Sequence, residues 1–372
     1  TFTIENDDDT ALIGLSALSS AANISGQTTI NQPLDIVLVL DVSGSMDDDL
    51  VSYTYTATYN VYERGTYYVQ NGSGGYTQVE AVYSGFGLWR EFDHWEANGQ
   101  EVTPMTSAGD TDSGHVQFYT RRQASSVSKM SALKSAVNGF IAETGTENAG
   151  IANPKNQHRI ALVKFAGPYT RYVVGDDTYR DGGYIYNYTQ VVSDFSTDTT
   201  SLTNAVNGLD AAGATSADYG FDLADSVMTG GQAGSGNNSA TYTGARDNAQ
   251  KVVIFFTDGE PNHGSGFDED VAATAIDTAY GLKQDDVTVY SIGVMSGADP
   301  SDTTTDFNRY MNAVSSEYPS AQANGNWDWL TLGDPDTTAQ YYYAADSSES
   351  LNSIFEAIRD SFGSGATSPI ES

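Results

Sequence analysis

The stretch LDIVLVL at residues 34–40, followed by DVSGSM at residues 41–46, decides the fold of this chain. Its first part is a nearly continuous apolar run of strand length, which is typical of a strand buried on both faces of a parallel sheet. Its second part opens with Asp41 and runs into a Ser-Gly-Ser turn. In open α/β sheets, ligands bind outside the carboxyl ends of the strands. The stretch therefore predicts a central strand that ends at a binding edge.

Similar apolar runs recur along the chain and alternate with amphipathic segments. We expect further buried strands at residues 160–165, 252–256, 287–294 and 341–345, and an antiparallel edge strand at 188–195. Apolar residues at helical spacing predict helices around residues 127–141, 221–228, 271–282, 307–314 and 351–362. This alternation indicates an α/β fold, a doubly wound, mostly parallel six-stranded sheet with helices on both faces.

Residues 47–125 break this rhythm, because Tyr alternates there with Thr and Ser in the pattern of β-strands. A structureless loop of that length is uncommon inside a compact domain, so we interpret the stretch as an inserted Tyr-rich β arm. The expected main domain spans residues 34–362 and carries this arm and a second, looser insertion at about 296–340. A flanking segment at 1–33 and a flexible tail at 363–372 complete the predicted organisation.

Composition excludes several classes of protein. The chain has 49 Asp and Glu against 16 Lys and Arg, a formal net charge of −33, and no Cys. Such a surface repels nucleic acid. Without Cys, disulfides, thiolate zinc sites and Cys nucleophiles are impossible. No apolar run approaches the roughly 18 residues that a membrane helix needs, so we expect no membrane insertion. Halophilic adaptation is an alternative explanation of the acidity.

Three loops are expected to bring oxygen ligands to one sheet edge. Asp41, Ser43 and Ser45 alternate on the first turn, Asp258 follows a later strand in TDGE, and Thr215 precedes a helix in GATSADYG. Carboxylates and hydroxyls suit Mg²⁺, Mn²⁺ or Ca²⁺ better than zinc or copper. Ordinary turns are the alternative for each motif taken alone. Other hydroxyls remain alternatives to Thr215, namely Ser216, Thr199, Thr200 and Thr203.

Together, D-x-S-x-S, a Thr in a Gly-rich loop and T-D-G resemble the von Willebrand factor A domain, the Rossmann-like fold of integrin ligand-binding domains and many bacterial surface adhesins. The resemblance covers roughly residues 34–362 without the insertions. It implies a metal-ion-dependent adhesion site that holds a divalent cation, with Mg²⁺ expected and Mn²⁺ or Ca²⁺ as alternatives. It also implies that an acidic group of a partner completes the ion's coordination and that no bond is broken. The implied ligands are Asp41, Ser43, Ser45, Thr215 and Asp258.

Two further predictions concern residues near this site. In the integrin relatives, acidic residues two and three positions after the six-residue D-x-S-x-S-x segment bind a second ion. Asp48 and Asp49 match that spacing after residues 41–46, and a solvated acidic loop is the alternative. The arm leaves the core beside the site, and its aromatic side chains are suited to partner contact. Cross-strand stabilisation of the arm is the alternative role. The candidate contact residues are Tyr53, Tyr55, Tyr59, Trp89 and Trp95.

A type A domain with an arm near the metal and no Cys most resembles the tip adhesins of Gram-positive bacterial pili. We therefore expect an extracellular, cell-surface protein, part of a larger surface protein or pilus, that binds a protein with an accessible acidic residue, or a glycan. The alternatives are a carbohydrate-binding module that works through the arm and a structural subunit in which the ion only stabilises the fold. No nucleophile elbow, phosphate loop or metalloprotease His spacing occurs, so we expect no enzyme.

Overall fold

The computed structural model describes residues 6–7, 10–11, 32–70, 76–85, 90–173 and 177–363. A seven-stranded sheet forms the centre, in the spatial order β3-β4-β2-β1-β5-β6-β7. Its strands, numbered along the chain, are β1 (Leu34–Asp41), β2 (Arg159–Phe165), β3 (Thr170–Arg171), β4 (Thr189–Ser196), β5 (Gln250–Thr257), β6 (Val287–Gly293) and β7 (Tyr342–Ala344).

The strand directions confirm the predicted α/β class. The five strands from β2 to β7 in the spatial order are parallel to one another, and β4 runs antiparallel to β2. All six expected strands are present, and the two-residue β3 adds an edge strand beyond β4. All eight residues of β1 are buried, as its apolar sequence predicts for the centre of a covered sheet.

Within the described residues, six helices cover the two faces of this sheet. On one face, α3, α4 and α5 pack against side chains that include Val37 and Val39 of β1. On the other, α1, α2 and α6 pack against Leu38 and Leu40, because successive side chains of a strand point to opposite faces. The helices are α1 (Lys129–Ala149), α2 (Thr199–Asn207), α3 (Ala217–Thr229), α4 (Glu269–Gln284), α5 (Asp306–Val314) and α6 (Ser348–Gly363).

A second seven-stranded sheet lies in the chain between β1 and α1. The two strands that come first and last along the chain pair antiparallel, with Asp49 opposite Ser128 at the base of the sheet. One face gathers a small core of Tyr67, Val79, Trp95 and Phe118. In spatial order its strands are Asp49–Thr58, Phe118–Ser128, Tyr67–Gln70, Tyr76–Ser84, Glu91–Ala97, Gln100–Pro104 and His115–Val116. We call this sheet the arm.

Residues 296–340 contain α5 and the short 3-10 turn Trp327–Trp329. Tyr310 and Trp327 are buried in the same core as α3 and α4, so the segment packs onto the main domain. The described part of the chain also forms three two-stranded hairpins, Asn6–Asp7 with Thr10–Ala11, Thr178–Asp181 with Tyr184–Asn187, and Gly231–Ser235 with Asn238–Tyr242. The predictions for residues 1–33 and 363–372 fall largely outside the described residues.

An ion-pair cluster fixes the amino end of β1, at the edge away from Asp41. The buried carboxylate of Asp35 accepts bonds from Arg159 Nε (2.8 Å) and from Arg246 Nη2 (2.6 Å). Burial alone would raise the pKa of Asp35, but the hydrogen bonds of Arg159 and Arg246 outweigh it and lower the pKa. Within the described part of the chain, no helix combines the length and apolar character needed to cross a membrane.

Candidate metal centre

The two predicted carboxylate ligands stand on neighbouring parallel strands. Asp41 is the last residue of β1 and Asp258 directly follows β5, so both lie at the same edge. The backbone N–H of Ser43 donates to Asp41 Oδ1 at 2.8 Å. The hydroxyl of Ser45 donates to Asp258 Oδ1 at 2.8 Å, and Ser43 Oγ lies 3.4 Å from the same oxygen. The turn after β1 therefore joins both carboxylates through its serines.

Thr215 enters this arrangement from the loop before α3. Its backbone exchanges two hydrogen bonds with Asn262, at 3.1 and 2.9 Å, just beyond Asp258. A Cβ placed on Gly259 would lie 3.7 Å from Thr215 Oγ1 and 3.8 Å from Ser45 Oγ, so these two hydroxyls flank one small space. Of the alternatives, Ser216 is the N-cap residue of α3 and its buried hydroxyl makes no cap bond, so it remains a candidate. Thr199, Thr200 and Thr203 lie in α2.

Backbone hydrogen bonds hold the two loops together. Gly44 N donates to Gly213 O at 3.0 Å, and Ala212 N donates to Val42 O at 2.9 Å. Gly213 has a φ of 109°, a left-handed conformation that favours Gly. A Cβ there would also lie 2.8 Å from the Tyr186 ring. The position of Thr215 relative to Ser43 and Ser45 is thus set by the main chain.

The electrostatics of the site are compatible with a cation beside Asp41. Burial, followed by repulsion from Asp258, raises the pKa of Asp41 to about 7. An ionised carboxylate buried without a counter-charge is costly. Among the described residues, no Lys, Arg or His side chain is hydrogen-bonded to Asp41; its partners are Ser43 and Thr257. Two carboxylates with three hydroxyls form a hard oxygen donor set, so the residues present fit a divalent cation such as Mg²⁺.

Two contributing residues were not identified from the sequence. Thr257 Oγ1 donates to Asp41 Oδ2 at 2.7 Å, and Lys129 Nζ lies 2.8 Å from Asp258 Oδ2. Thr257 is the first letter of the T-D-G motif and could have been included with it. Lys129 also has a sequence signal, because a Lys at the first residue of a helix opposes the helix dipole and needs a compensating partner.

The residues predicted for a second ion are both exposed. Asp48 Oδ2 lies 4.0 Å from Lys129 Nζ, and Asp49 begins the first strand of the arm. The second-ion hypothesis for Asp48 and Asp49 stays a prediction.

A separate Asp–Asp–His group lies in the arm. Asp110, Asp112 and His115 place ligand atoms within 4.8 Å of one another. The carboxylate of Asp110 already accepts bonds from Thr106, from the Asp112 backbone N–H and, at 2.9 Å, from the ring of His115. These hydrogen bonds explain why the three side chains lie together, since they stabilise the conformation of the arm loop.

The aromatic candidates of the arm divide into two groups. Tyr53 is 40% exposed, and Tyr55 stacks on Tyr76 with ring centroids 3.8 Å apart. Tyr59 is half-buried. Trp95 corrects the sequence interpretation, since it is only 5% exposed and packs against Tyr67 and Phe118. The sequence does not determine whether a Trp on a strand points to the core face or to the open face, and Trp95 points to the core. Trp89 lies outside the described residues.

Comparison with known families identifies the class of domain. The sequence profile of the von Willebrand factor type A domain matches residues 125–357, more than half of the 372 residues. The chain belongs to the von Willebrand factor type A family. The match begins after Asp41, so β1 and the turn that follows it lie outside the matched residues. No match was found among curated protein sequences.

Several solved structures resemble this chain at low sequence identity and with TM-scores below 0.5. The pilus adhesin SpaC from Lactobacillus rhamnosus GG is 15% identical with a TM-score of 0.42, and the match covers 91% of this chain and 31% of SpaC. The von Willebrand factor domain of the type V pili tip protein Mfa5 from Porphyromonas gingivalis is 11% identical with a TM-score of 0.42, covering 91% and 99%. The PilB minor pilin from Streptococcus sanguinis is 13% identical with a TM-score of 0.40, covering 92% and 63%. The chain thus spans less than a third of the length of SpaC.

Proposed function

We propose that this domain is a metal-dependent adhesion module. Asp41, Ser43, Ser45, Thr215 and Asp258 would hold a divalent cation at the carboxyl edge of the sheet, and the cation would offer a coordination position to a carboxylate of an extracellular partner. The observation that carries the proposal is that the turn after β1 contacts both buried carboxylates, through the Ser43 backbone N–H to Asp41 and the Ser45 hydroxyl to Asp258 Oδ1. Membership of the type A family supports the same interpretation.

The residues of the chain have separate tasks in this mechanism. The backbone of Ser43 and the hydroxyl of Thr257 orient Asp41 by occupying its two oxygens. Ser45 and Ser43 orient Asp258. Neutral hydroxyls supply the remaining ligands and withdraw little of the ion's charge. When bound, the cation supplies a Lewis-acidic position to an incoming carboxylate. No step of this mechanism requires a covalent change, so we propose binding without catalysis.

Because the chain is strongly acidic, binding of an acidic partner requires a local positive charge, which such an ion would supply. At a net charge of −33, the domain as a whole repels anions at long range. A bound cation gives a local attraction that the rest of the surface lacks. Following the resemblance in the sequence, we place this activity at the cell surface, in a larger surface protein or pilus that carries the domain to its partner.

Ion binding is tested first, by thermal unfolding in EDTA and in Mg²⁺, Mn²⁺ or Ca²⁺. At an ion concentration of 100 times Kd, binding to the native state stabilises it by about 2.7 kcal/mol. We expect a rise in Tm for the unmodified chain and none for Asp41→Ala. Asp328→Ala, which removes an exposed carboxylate elsewhere, is the matched control and should respond like the unmodified chain. An equal ion response in Asp41→Ala would exclude this site.

Partner binding is tested with a panel of immobilised extracellular proteins and acidic peptides. Under the proposal, binding requires the ion, is lost in EDTA and in Asp41→Ala, and is lost again when the partner's carboxylate is changed to an amide. An ion response in Tm without any ion-dependent partner would favour the structural alternative, in which the cation only stabilises the domain.

The open face of the arm favours glycan binding as a second candidate function. Arg121 lies over the rings of Tyr53 (4.1 Å) and Tyr68 (4.7 Å), next to the stacked pair Tyr55 and Tyr76. Of these rings, Tyr53 is 40% exposed and offers apolar area for contact with a sugar. A glycan array separates the two functions, because binding through the arm should survive EDTA and fail in Tyr53→Ala, whereas Asp41→Ala should leave it unchanged.

A further inference from the structure

The two carboxylate oxygens of Asp258 have different partners, Lys129 and Ser45. The ammonium of Lys129 lies 2.8 Å from Oδ2, while Oδ1 accepts the hydroxyl of Ser45 at 2.8 Å. The Lys129 side chain is 15% exposed and that of Asp258 is 0% exposed, so the pair is largely removed from water. One oxygen therefore belongs to the proposed ligand set and the other to an internal cation.

This is an unfavourable position for Lys on local grounds. Lys129 is the first residue of α1, at the positive end of the helix dipole, and the first turn contains no acidic residue that would offset the charge. Cationic residues are also scarce, with 16 Lys and Arg in the whole chain. Its pairing with the buried Asp258 accounts for the placement, while the exposed Asp48 carboxylate lies further away, at 4.0 Å. The pairing puts a positive charge beside the proposed ion.

The base of the arm fixes Lys129 in place. Its backbone N–H donates to Asp48 O at 2.9 Å, and the preceding residue, Ser128, pairs with Asp49. Ser128 also caps α1 by accepting the N–H of Ser131 at 3.2 Å. The backbone of Lys129 is thus fixed at the junction between the strand that ends the arm and the helix that follows it.

We infer that Lys129 raises the net charge of the metal centre. The added charge lowers the affinity of the centre for the ion and raises the affinity of the ion-loaded centre for an anionic ligand. The inference rests on the proposed function, since it requires an ion at Asp41. Asp41 and Asp258 contribute −2 and Lys129 contributes +1, so a divalent cation brings the centre to +1. Without Lys129 the loaded centre would be neutral. A like charge nearby weakens binding of the ion and strengthens the attraction for a carboxylate.

The inference requires opposite changes in two affinities when Lys129 is replaced. The variants are Lys129→Met, which keeps the apolar stem, and Lys129→Arg, which keeps the charge. Lys134→Met removes a Lys from the same helix whose ammonium donates instead to Asn207 O, at 3.1 Å, and serves as the control. Mn²⁺ affinity is measured by calorimetry at fixed ionic strength. Acetate affinity for the Mn²⁺-loaded protein is measured from the relaxation of water protons, as acetate displaces water from the ion.

We expect Lys129→Met to bind Mn²⁺ about tenfold more tightly and acetate about tenfold more weakly than the unmodified chain, a charge effect of the size seen for close pairs. Lys129→Arg and Lys134→Met should stay within about twofold of the unmodified chain in both measurements. If Lys129→Met does not fold, Lys129→Gln replaces it, and added Mn²⁺ should raise its Tm more than that of the unmodified chain.

The outcomes separate the inference from the proposed function. If neither the unmodified chain nor the Lys129 variants bind Mn²⁺, the metal site is wrong and the inference falls with it. If the unmodified chain binds Mn²⁺ and the Met variant binds it equally or more weakly, the ion site stands and the role of Lys129 is wrong. A gain in Mn²⁺ affinity without a loss in acetate affinity also overturns the inference.

Discussion

The hydroxyl of Thr257 donates a 2.7 Å hydrogen bond to Oδ2 of Asp41, and this bond joins the ends of the neighbouring strands β5 and β1. Both side chains are fully buried. Because the backbone N–H of Ser43 occupies the other oxygen of Asp41, the carboxylate is held from two sides before any ion arrives. Orientation of Asp41 is therefore a property of the sheet edge itself.

Replacing Thr257 tests this orientation. Thr257→Val keeps the shape and removes the donor, so it should lower the free energy of unfolding by about 1–2 kcal/mol, the cost of an unsatisfied buried acceptor. We expect Mg²⁺ affinity, measured by calorimetry, to fall about tenfold. Thr257→Ser retains the hydroxyl and is the control. Equal Mg²⁺ affinity in the Val and Ser variants would show that Asp41 needs no such bond.

The raised pKa of Asp41 predicts a pH dependence. Its folded pKa of about 7 lies above the ordinary value of 3.8, so the metal-free folded state binds more protons than the unfolded state between these values. The contribution of Asp41 to metal-free stability is therefore present below pH 3.8 and is lost as pH rises through 7. Mg²⁺ must displace that proton, so its affinity should fall about tenfold per pH unit below pH 7 and level off above.

Calorimetry of Mg²⁺ binding between pH 5 and 8, in buffers with different heats of protonation, measures this proton release directly. Asp41→Asn cannot titrate and should show neither the release nor the pH-dependent affinity. A constant Mg²⁺ affinity across that range in the unmodified chain would contradict the raised pKa.

The sheet and much of its binding edge could be predicted because their sequence signals are local. The apolar run at residues 34–40 predicts a buried strand. The parallel pairing of this strand with β5 then places Asp41 and Asp258 at the same edge of the sheet. Helix α2 was not predicted because Thr and Asn dominate its sequence and only Leu202 and Val206 are buried. Lys129 meets Asp258 across 129 positions of the chain, a distance that no local pattern spans.

The ion pairs of Asp35 should support the fold without affecting the metal centre. Asp35→Ala leaves Arg159 and Arg246 without their shared buried carboxylate, so we expect a loss of about 3–5 kcal/mol in the free energy of unfolding. Mg²⁺ affinity of the folded variant should stay within about twofold of the unmodified chain, because Asp35 and Asp41 lie at opposite ends of β1. Chemical denaturation and calorimetry test the two parts. A tenfold loss of Mg²⁺ affinity would mean that the two sheet edges are coupled.

Two substitutions in the arm compare the effect of a core residue with that of an exposed residue. Trp95→Ala should cost about 3–5 kcal/mol, because the indole fills the small core formed with Tyr67, Val79 and Phe118. Tyr53→Ala, on the open face, should leave stability almost unchanged. Limited proteolysis should therefore cut the arm of Trp95→Ala and leave Tyr53→Ala resistant. If a partner requires the arm, both variants should weaken its binding, but only Trp95→Ala should do so through unfolding. Resistance of Trp95→Ala to the protease, together with lost binding, would instead make Trp95 a contact residue.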